Sequence, residues 1–263
     1  MQSLADGIIM EELDKARELA RKAKKILVFT GPGISAASGI PCSGISGDIT
    51  VNADAGNARE VLSPVNYRQF VDSTMHRQLY WKFLLSNYPL YKSAAPNSAH
   101  FAIKALQDSG RLFALITQNE DNLHRISGIN TDILTEIHGS CLYAECFDCY
   151  DWISMDEALE NFARSGCPPM CHCGGWLKPA MLMNGEETER ENLIKAFQAA
   201  NECDLVIAAG SSLRREPSSS VPLAAMAGGK PYVIINPDVT AHDKAADIKL
   251  CGDASEILPE ILR

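Results

Sequence analysis

Ile26-Leu-Val-Phe-Thr30, running straight into Gly31-Pro-Gly33-Ile-Ser35, decides the fold. An unbroken apolar run of this length suits a strand buried on both faces. The two glycines punctuate it, and Ile34–Ser38 is expected to open a helix. Strand, glycine-rich turn and helix make the first half of a βα unit. Glycines at such a turn let the backbone approach a phosphate, and a helix N-terminus adds N–H donors and partial positive charge. The spacing departs from G-x-G-x-x-G, so by itself the turn serves equally as a tight connection with no ligand.

The pattern repeats outward. Upstream, Ile9, Leu13, Ala16, Ala20 and Ala23 recur at helical spacing. Downstream, residues 42–66 are rich in Gly, Ser, Asn and Asp and read as a long loop, expected to be mobile without ligand. Residues 67–92 are rich in aromatics and read as helical, and Pro96-Asn97-Ser98 marks a helix start. Further strands are expected at Leu112–Thr117, Ile133–Ile137, Leu205–Ala209, Tyr232–Ile235 and near Ile248. Helices are expected over residues 187–200, over 218–228 and from Ala254. Apolar strands alternating with helices predict a parallel α/β sheet covered on both faces. Several strands end in small polar groups, Thr117-Gln118-Asn119 and Gly210-Ser211-Ser212 among them. Ligands bind at the carboxyl ends of such strands.

The chain has 263 residues, 46% hydrophobic and 22% charged, which excludes a disordered or collagen-like polymer. A net charge of −9 lacks the footprint of non-specific nucleic-acid binding. No apolar run reaches the roughly 20 residues of a membrane span, and the charged N-terminus does not resemble a secretory signal. The chain reads as cytoplasmic, with neither nucleic acid nor membrane as a partner.

Nine cysteines are an odd number, which argues against a full disulfide framework. Cys146-x-x-Cys149 and Cys171-x-Cys173 are two close pairs separated by 21 residues, the pattern of a four-thiolate zinc site. Gly174-Gly175 permits the tight turn of a zinc knuckle. The second pair is one residue short of the usual spacing, so Cys167 or His172 could replace a ligand, and unligated thiols are the plain alternative. Four thiolates close the coordination shell, making such a zinc structural. Cys141, Cys203 and Cys251 read as ordinary buried thiols.

Ile137-His138-Gly139 ends a strand just before the cysteine module. A histidine at a strand end facing a cleft can titrate near neutral pH and act as a general base, although most lone histidines are surface or core residues. His100, His124 and His242 have no comparable context. Asp121, just past a strand end, could orient a ligand or simply cap a helix.

Together these motifs resemble the sirtuin family, from about residue 22 to the end of the chain. Gly31-Pro-Gly-Ile-Ser-Ala-Ala-Ser-Gly-Ile-Pro41 is similar to its G-A-G-I-S-x-x-S-G-I-P, and Thr117-Gln-Asn-Glu-Asp-Asn-Leu-His124 to its T-Q-N-I-D-x-L-H. His138-Gly139, the cysteine pairs, Lys178-Pro179, Gly185-Glu186, Gly210-Ser-Ser-Leu213 and Asn236 follow in the family's order. The resemblance implies a Rossmann-like, doubly wound parallel sheet with a smaller zinc-binding and helical domain, and NAD in the cleft between. It places NAD binding in residues 1–41, 97–139 and 184–263, the zinc module in 140–183, and the loop and helical part of the small domain in 42–96. It implies an NAD-dependent protein-lysine deacylase that releases nicotinamide and O-acyl-ADP-ribose from an acylated-lysine protein or peptide. His138 would be the base and Asn119, with Asp121, would contact ribose and the nicotinamide amide. Gly31, Gly33, Ser35, Gln118, Gly210, Ser211, Ser212 and Asn236 would hold the rest of NAD, with one structural zinc on Cys146, Cys149, Cys171 and Cys173.

The departures are local. Where the family has D-F-R-G, this chain has Cys42-Ser43-Gly44-Ile45, without the aromatic that shields departing nicotinamide and without the arginine. Pro32 removes a backbone N–H from the phosphate turn. Glu120 replaces an aliphatic residue beside the nicotinamide site. Met183-Asn184 stands where the family has an aliphatic residue and a phenylalanine of the acyl-lysine channel. These changes open two alternatives: a sirtuin-like ADP-ribosyltransferase or NAD glycohydrolase, and a non-catalytic NAD-sensing module, against which His138 counts.

Overall fold

The computed structural model describes residues 2–41 and 65–263, with side chains from residue 10 onward. Residues 42–64, holding Cys42 and nearly all of the expected long loop, lie outside the described residues, and so does the expectation that this loop is mobile. The strands are β1 (Ile26–Thr30), β2 (Leu112–Thr117), β3 (Leu134–Glu136), β4 (Gly139–Cys146), β5 (Trp152–Ser154), β6 (Leu177–Met181), β7 (Leu205–Ala209), β8 (Tyr232–Ile235) and β9 (Ile248–Leu250). The helices are α1 (Gln2–Lys22), α2 (Tyr67–Asp72), α3 (Thr74–Ser93), α4 (Ser98–Asp108), α5 (Leu123–Ile126), α6 (Met155–Ser165), α7 (Arg190–Glu202), α8 (Ser220–Ala227) and α9 (Ala254–Ile261).

Six strands form a parallel sheet in the order β3-β2-β1-β7-β8-β9. Every residue of β1 is buried, as a strand covered on both faces requires. Its side chains alternate between two cores. Ile26 and Val28 pack with Ala16, Ile103 and Leu258, beneath α1, α4 and α9. Leu27 and Phe29 pack with Ala200, Val221 and Tyr232, beneath α7 and α8. Burying such side chains contributes about 1.5–3 kcal/mol each. Because the strand order runs away from β1 in both directions, the sheet's switch point lies at the carboxyl ends of β1 and β7.

A second, antiparallel sheet, β5-β4-β6, together with α6, was not read from the sequence. Its inner face joins a separate core that includes Phe70, Trp81, Leu84, Met155, Phe162 and Leu177. The aromatic segment expected as one helix is two, α2 and α3, parted at Ser73, whose extended backbone and side chain cap α3. Ile34–Ser38 also differs from expectation. It belongs to a 3-10 helix, Pro32–Ser38, which ends at a left-handed Gly39.

Asn97 ties this turn to α4. Its Oδ1 accepts from the Ala99 N–H at 3.0 Å, while its Nδ2 donates to Ile34 O at 2.8 Å and Ser38 Oγ at 3.0 Å. We expect Asn97→Ala to lower the unfolding free energy by about 1–2 kcal/mol. Urea denaturation should show a shifted midpoint at unchanged slope.

Candidate functional site

Two strand-end turns meet at the switch point. Gly33 N–H donates to Gly210 O at 2.7 Å, and Gly31 N–H to Ala209 O at 3.1 Å. A Cβ on Gly33 would stand 2.8 Å from Gly210 O, and one on Gly31 2.7 Å from Ser211 Cβ, so only glycine lets these turns close. Asn236, after β8, donates from Nδ2 to Ser211 O at 2.8 Å.

Above this crossing lies a cavity of 340 Å³. Gly33, Gln118, Asn119, Asp121, His138, Gly210, Ser212 and Asn236 line it, with Glu120, Tyr91 and Arg215. Gly31, Ser35 and Ser211 are not in its lining; they brace residues that are. Ser35 Oγ donates to Asp121 Oδ2 at 2.6 Å and accepts from Asn119 Nδ2 at 3.0 Å. Asp121 Oδ1 also accepts from the Leu123 N–H at 2.9 Å, so the carboxylate caps the next turn and reaches the site at once. Burial raises the Asp121 carboxyl, against the pull of these hydrogen bonds.

His138 is buried between β3 and β4. Its Nδ1 stands 3.1 Å from Gln118 O, and its Nε2 3.1 Å from Ser218 Oγ. A carbonyl only accepts, so Nδ1 carries the proton and Nε2 keeps its lone pair. The sequence had suggested titration near neutral pH. Burial instead lowers this group to about 3, with help from the Arg215 charge, so the imidazole is neutral and ready to take a proton. Ser218, which sequence reading missed, is the hub. It accepts from Gln118 Nε2 at 3.0 Å, and Gln118 Oε1 in turn accepts from Ser211 Oγ at 2.7 Å. Only its place just beyond the Gly210–Leu213 segment could have flagged it.

His124 was likewise passed over. It lies beneath the site, its Nε2 2.9 Å from Thr30 Oγ1, its ring 4.9 Å from that of His100. Burial lowers both, His100 to about 4 and His124 well below its ordinary value.

The four thiols Cys146, Cys149, Cys171 and Cys173 converge, with all Sγ atoms within 4.8 Å of one another. The Cys146–Cys173 and Cys149–Cys171 separations are 3.5 and 3.6 Å, close to the ~3.8 Å tetrahedron edge that Zn–S bonds of about 2.3 Å demand. Cys167 and His172 are not among the four converging ligand atoms; His172 Nδ1 lies 3.4 Å from Cys171 Sγ, with Nε2 towards Asp151. The donor set therefore fits one structural zinc. The NAD groups fit too: Asn119 Oδ1 is buried in the cavity wall with no hydrogen-bond partner among the described residues. Cys141 and Cys203 are buried as expected, but Cys251, expected to be buried, is exposed past β9.

A family model for the Sir2 family matches residues 31–217. The chain belongs to the Sir2 family. NAD-dependent protein deacylase 2 of Archaeoglobus fulgidus is 34% identical over 254 residues, 96% of this chain and 95% of its own. NAD-dependent protein deacetylase 1 of Pyrobaculum aerophilum is 34% identical over 265 residues, 98% of this chain and 97% of its own. Among solved Sir2 structures, Sir2Af2 bound to a myristoylated histone peptide matches with TM-score 0.74 and 30% identity, covering 96% of this chain and 95% of that one. A Sir2 complex with p53 peptide and NAD+ matches with TM-score 0.79 and 26% identity, covering 93% and 95%. No helix among the described residues is long and apolar enough to cross a membrane.

Two measurements follow. Metal analysis of purified protein should find one zinc per chain, and Cys146→Ser should yield metal-poor protein with a lowered melting temperature. Second, His100, His124 and His138 are held below the unfolded value of about 6.5, so from there down the unfolded chain binds more protons. Stability should be full above pH ~6.5 and fall as pH drops towards 4, by up to about 1.4 kcal/mol per pH unit for each histidine. Urea titrations across that range check it, and His100→Gln should flatten the slope.

Proposed function

We propose that this chain is an NAD-dependent protein-lysine deacylase, releasing nicotinamide and O-acyl-ADP-ribose from an acylated-lysine protein or peptide. The observation that carries the residue assignment is the neutral His138, its Nε2 lone pair at a cavity shared with Asn119, Asp121 and the glycine turns. NAD supplies the ribose carbon from which nicotinamide leaves and to which the acyl oxygen adds. His138 Nε2 takes the proton from a ribose hydroxyl, and Gln118 O holds the Nδ1–H so that the ring keeps this tautomer. Asn119, with its unpartnered Oδ1, and Asp121 bind ribose and the nicotinamide amide, and Ser35 orients both. Gly31, Gly33, Gln118, Gly210, Ser211, Ser212 and Asn236 form or brace the rest of the NAD site.

The division of the chain follows from these roles: NAD binding in 1–41, 97–139 and 184–263, zinc binding in 140–183, and the remaining small-domain part in 42–96. The zinc closes its own shell and holds the module rather than reacting. Eight free cysteines among the described residues suit a reducing, cytoplasmic setting. Glu120, buried in the cavity wall, favours one second reading, NAD hydrolysis or ADP-ribosyl transfer.

Incubation with NAD and a set of acyl-lysine peptides distinguishes these. Peptide-dependent O-acyl-ADP-ribose is expected. Free ADP-ribose without peptide would move the assignment to hydrolysis, and absence of nicotinamide release would leave an NAD-binding module. His138→Ala should cut turnover by about 10²–10⁴-fold. An unchanged rate would remove it as the base.

A further inference from the structure

Ser218 stands against the base, and the proposed chemistry gives it no task. It lies two residues before α8, in a turn where the Ser219 N–H donates to Arg215 O at 3.0 Å. Arg215 Nη2 in turn donates to Leu182 O at 3.2 Å, just past the end of β6. Ser218 is fully buried, so no bulk water serves its hydroxyl.

Three partners surround its Oγ. Gln118 Nε2 stands at 3.0 Å, Arg215 O at 2.8 Å and His138 Nε2 at 3.1 Å. A hydroxyl has one proton and two lone pairs to share among them. Gln118 Nε2 is a donor and fills one lone pair, while Gln118 Oε1 accepts from Ser211 Oγ. Arg215 O is an acceptor in every state. His138 Nε2 alone changes sign: it accepts while the ring is neutral and donates once it has taken a proton.

The Ser218 proton therefore has two places. With a neutral ring, the O–H donates to Nε2, and Arg215 O still has the Ser219 N–H. With Nε2 protonated, the O–H turns to Arg215 O, and the freed lone pair accepts from the Nε2–H. Both arrangements satisfy every polar atom of the set, and neither requires a heavy atom to move. Burial and then the Arg215 charge both disfavour the protonated ring. The turned hydroxyl gives that ring a charge-assisted hydrogen bond, available only once the proton has arrived. An alanine here would leave a buried, charged N–H facing a methyl group.

We propose that Ser218 is a positioning residue for the His138 base, a rotating hydroxyl whose proton caps Nε2 in the resting site and turns to Arg215 O as Nε2 takes the ribose proton. In that step the ribose O–H bond breaks, its electron pair stays on the ribose oxygen, and an N–H bond forms at Nε2. The proposal rests on the deacylase reading for the identity of the proton donor.

The test uses the full zinc-loaded chain and an acetyl-lysine peptide. Nitrogen NMR of histidine-labelled protein at neutral pH, without NAD, reads the two ring nitrogens of His138, with His138→Ala assigning the signals. Ser218→Ala should move the Nε2 resonance downfield, towards that of an unbonded lone pair, and leave Nδ1 in place. Exchange of labelled nicotinamide into NAD reports the steps before the base is needed, and O-acetyl-ADP-ribose formation includes the steps after. Ser218→Ala should cut product formation about 10- to 100-fold, the loss expected for one hydrogen bond to a charged group. Nicotinamide exchange and the Kd for NAD should stay within about twofold. Ser219→Ala, which removes the neighbouring buried hydroxyl, should leave all of these readings at their native values. An unmoved Nε2 resonance, undiminished product formation in Ser218→Ala, or equal losses in exchange and product formation overturns the proposal. Failure of the deacylase reading looks different: the native chain makes no O-acetyl-ADP-ribose, while the Nε2 resonance still decides whether Ser218 caps the ring.

Discussion

The backbone crossing of Gly31–Gly33 against Gly210–Ser211 is the constraint from which the site follows. Two neighbouring parallel strands, β1 and β7, end together at the switch point, and their turns must pass within hydrogen-bonding distance without side chains between them. The steric room for a Cβ is missing at Gly31, Gly33 and Gly210 alike. Because the turns close, Ser35 is carried over the end of β2, where it meets Asn119 and Asp121. Because Gly210 is pinned, Ser211 is held within reach of Gln118. The glycines thus act on the ligand site largely through the geometry they impose on polar neighbours.

Those neighbours form two chains of hydrogen bonds that share the segment after β2. One runs from Ser211 through Gln118 to Ser218 and His138. The other links Asn119, Ser35 and Asp121. In a buried setting such links are strong and an unpaired member is costly, which is why the unpartnered Asn119 Oδ1 reads as a place kept for a ligand. The same burial that would penalise a charged imidazole keeps His138 neutral. A base needs its lone pair before it needs a matched pKa, and the Nδ1–H to Gln118 O bond supplies the correct tautomer.

The large sheet was legible because its strands are short, apolar and bounded by Gly, Pro or small polar residues. All six of its strands stand within a residue or two of where the pattern put them. The second sheet was not legible. Gly139–Cys146 alternates weakly, Trp152–Ser154 is too short to show a period, and Pro179 interrupts β6, which tolerates it as an edge strand. Helix α6 was hidden for another reason: the stretch between the cysteine pairs reads as a spacer, although Ser154 caps it through the Glu157 N–H. In the site, residues on strand ends could be named from sequence, but Ser218 and the His100–His124 pair could not. Their significance lies in partners 80 or more residues away or across a shared core, which no local pattern records.

The second sheet also explains how a closed metal centre can matter to chemistry some distance off. His138 is the joint between the two sheets, the residue before β4 begins at Gly139. Gly139 adopts a left-handed φ of 80°, and a Cβ there would collide with Ala180 O across the β4–β6 pair. Leu182 N–H donates to His138 O at 2.7 Å, fixing the imidazole's own backbone to the end of β6. Beyond these strands, Cys146 closes β4, while Cys171 and Cys173 precede β6 by only a few residues. A zinc on the four thiolates would therefore clamp the far ends of the two strands whose near ends hold the histidine. The four thiols and His138 thus stand at opposite ends of the same β4–β6 pair.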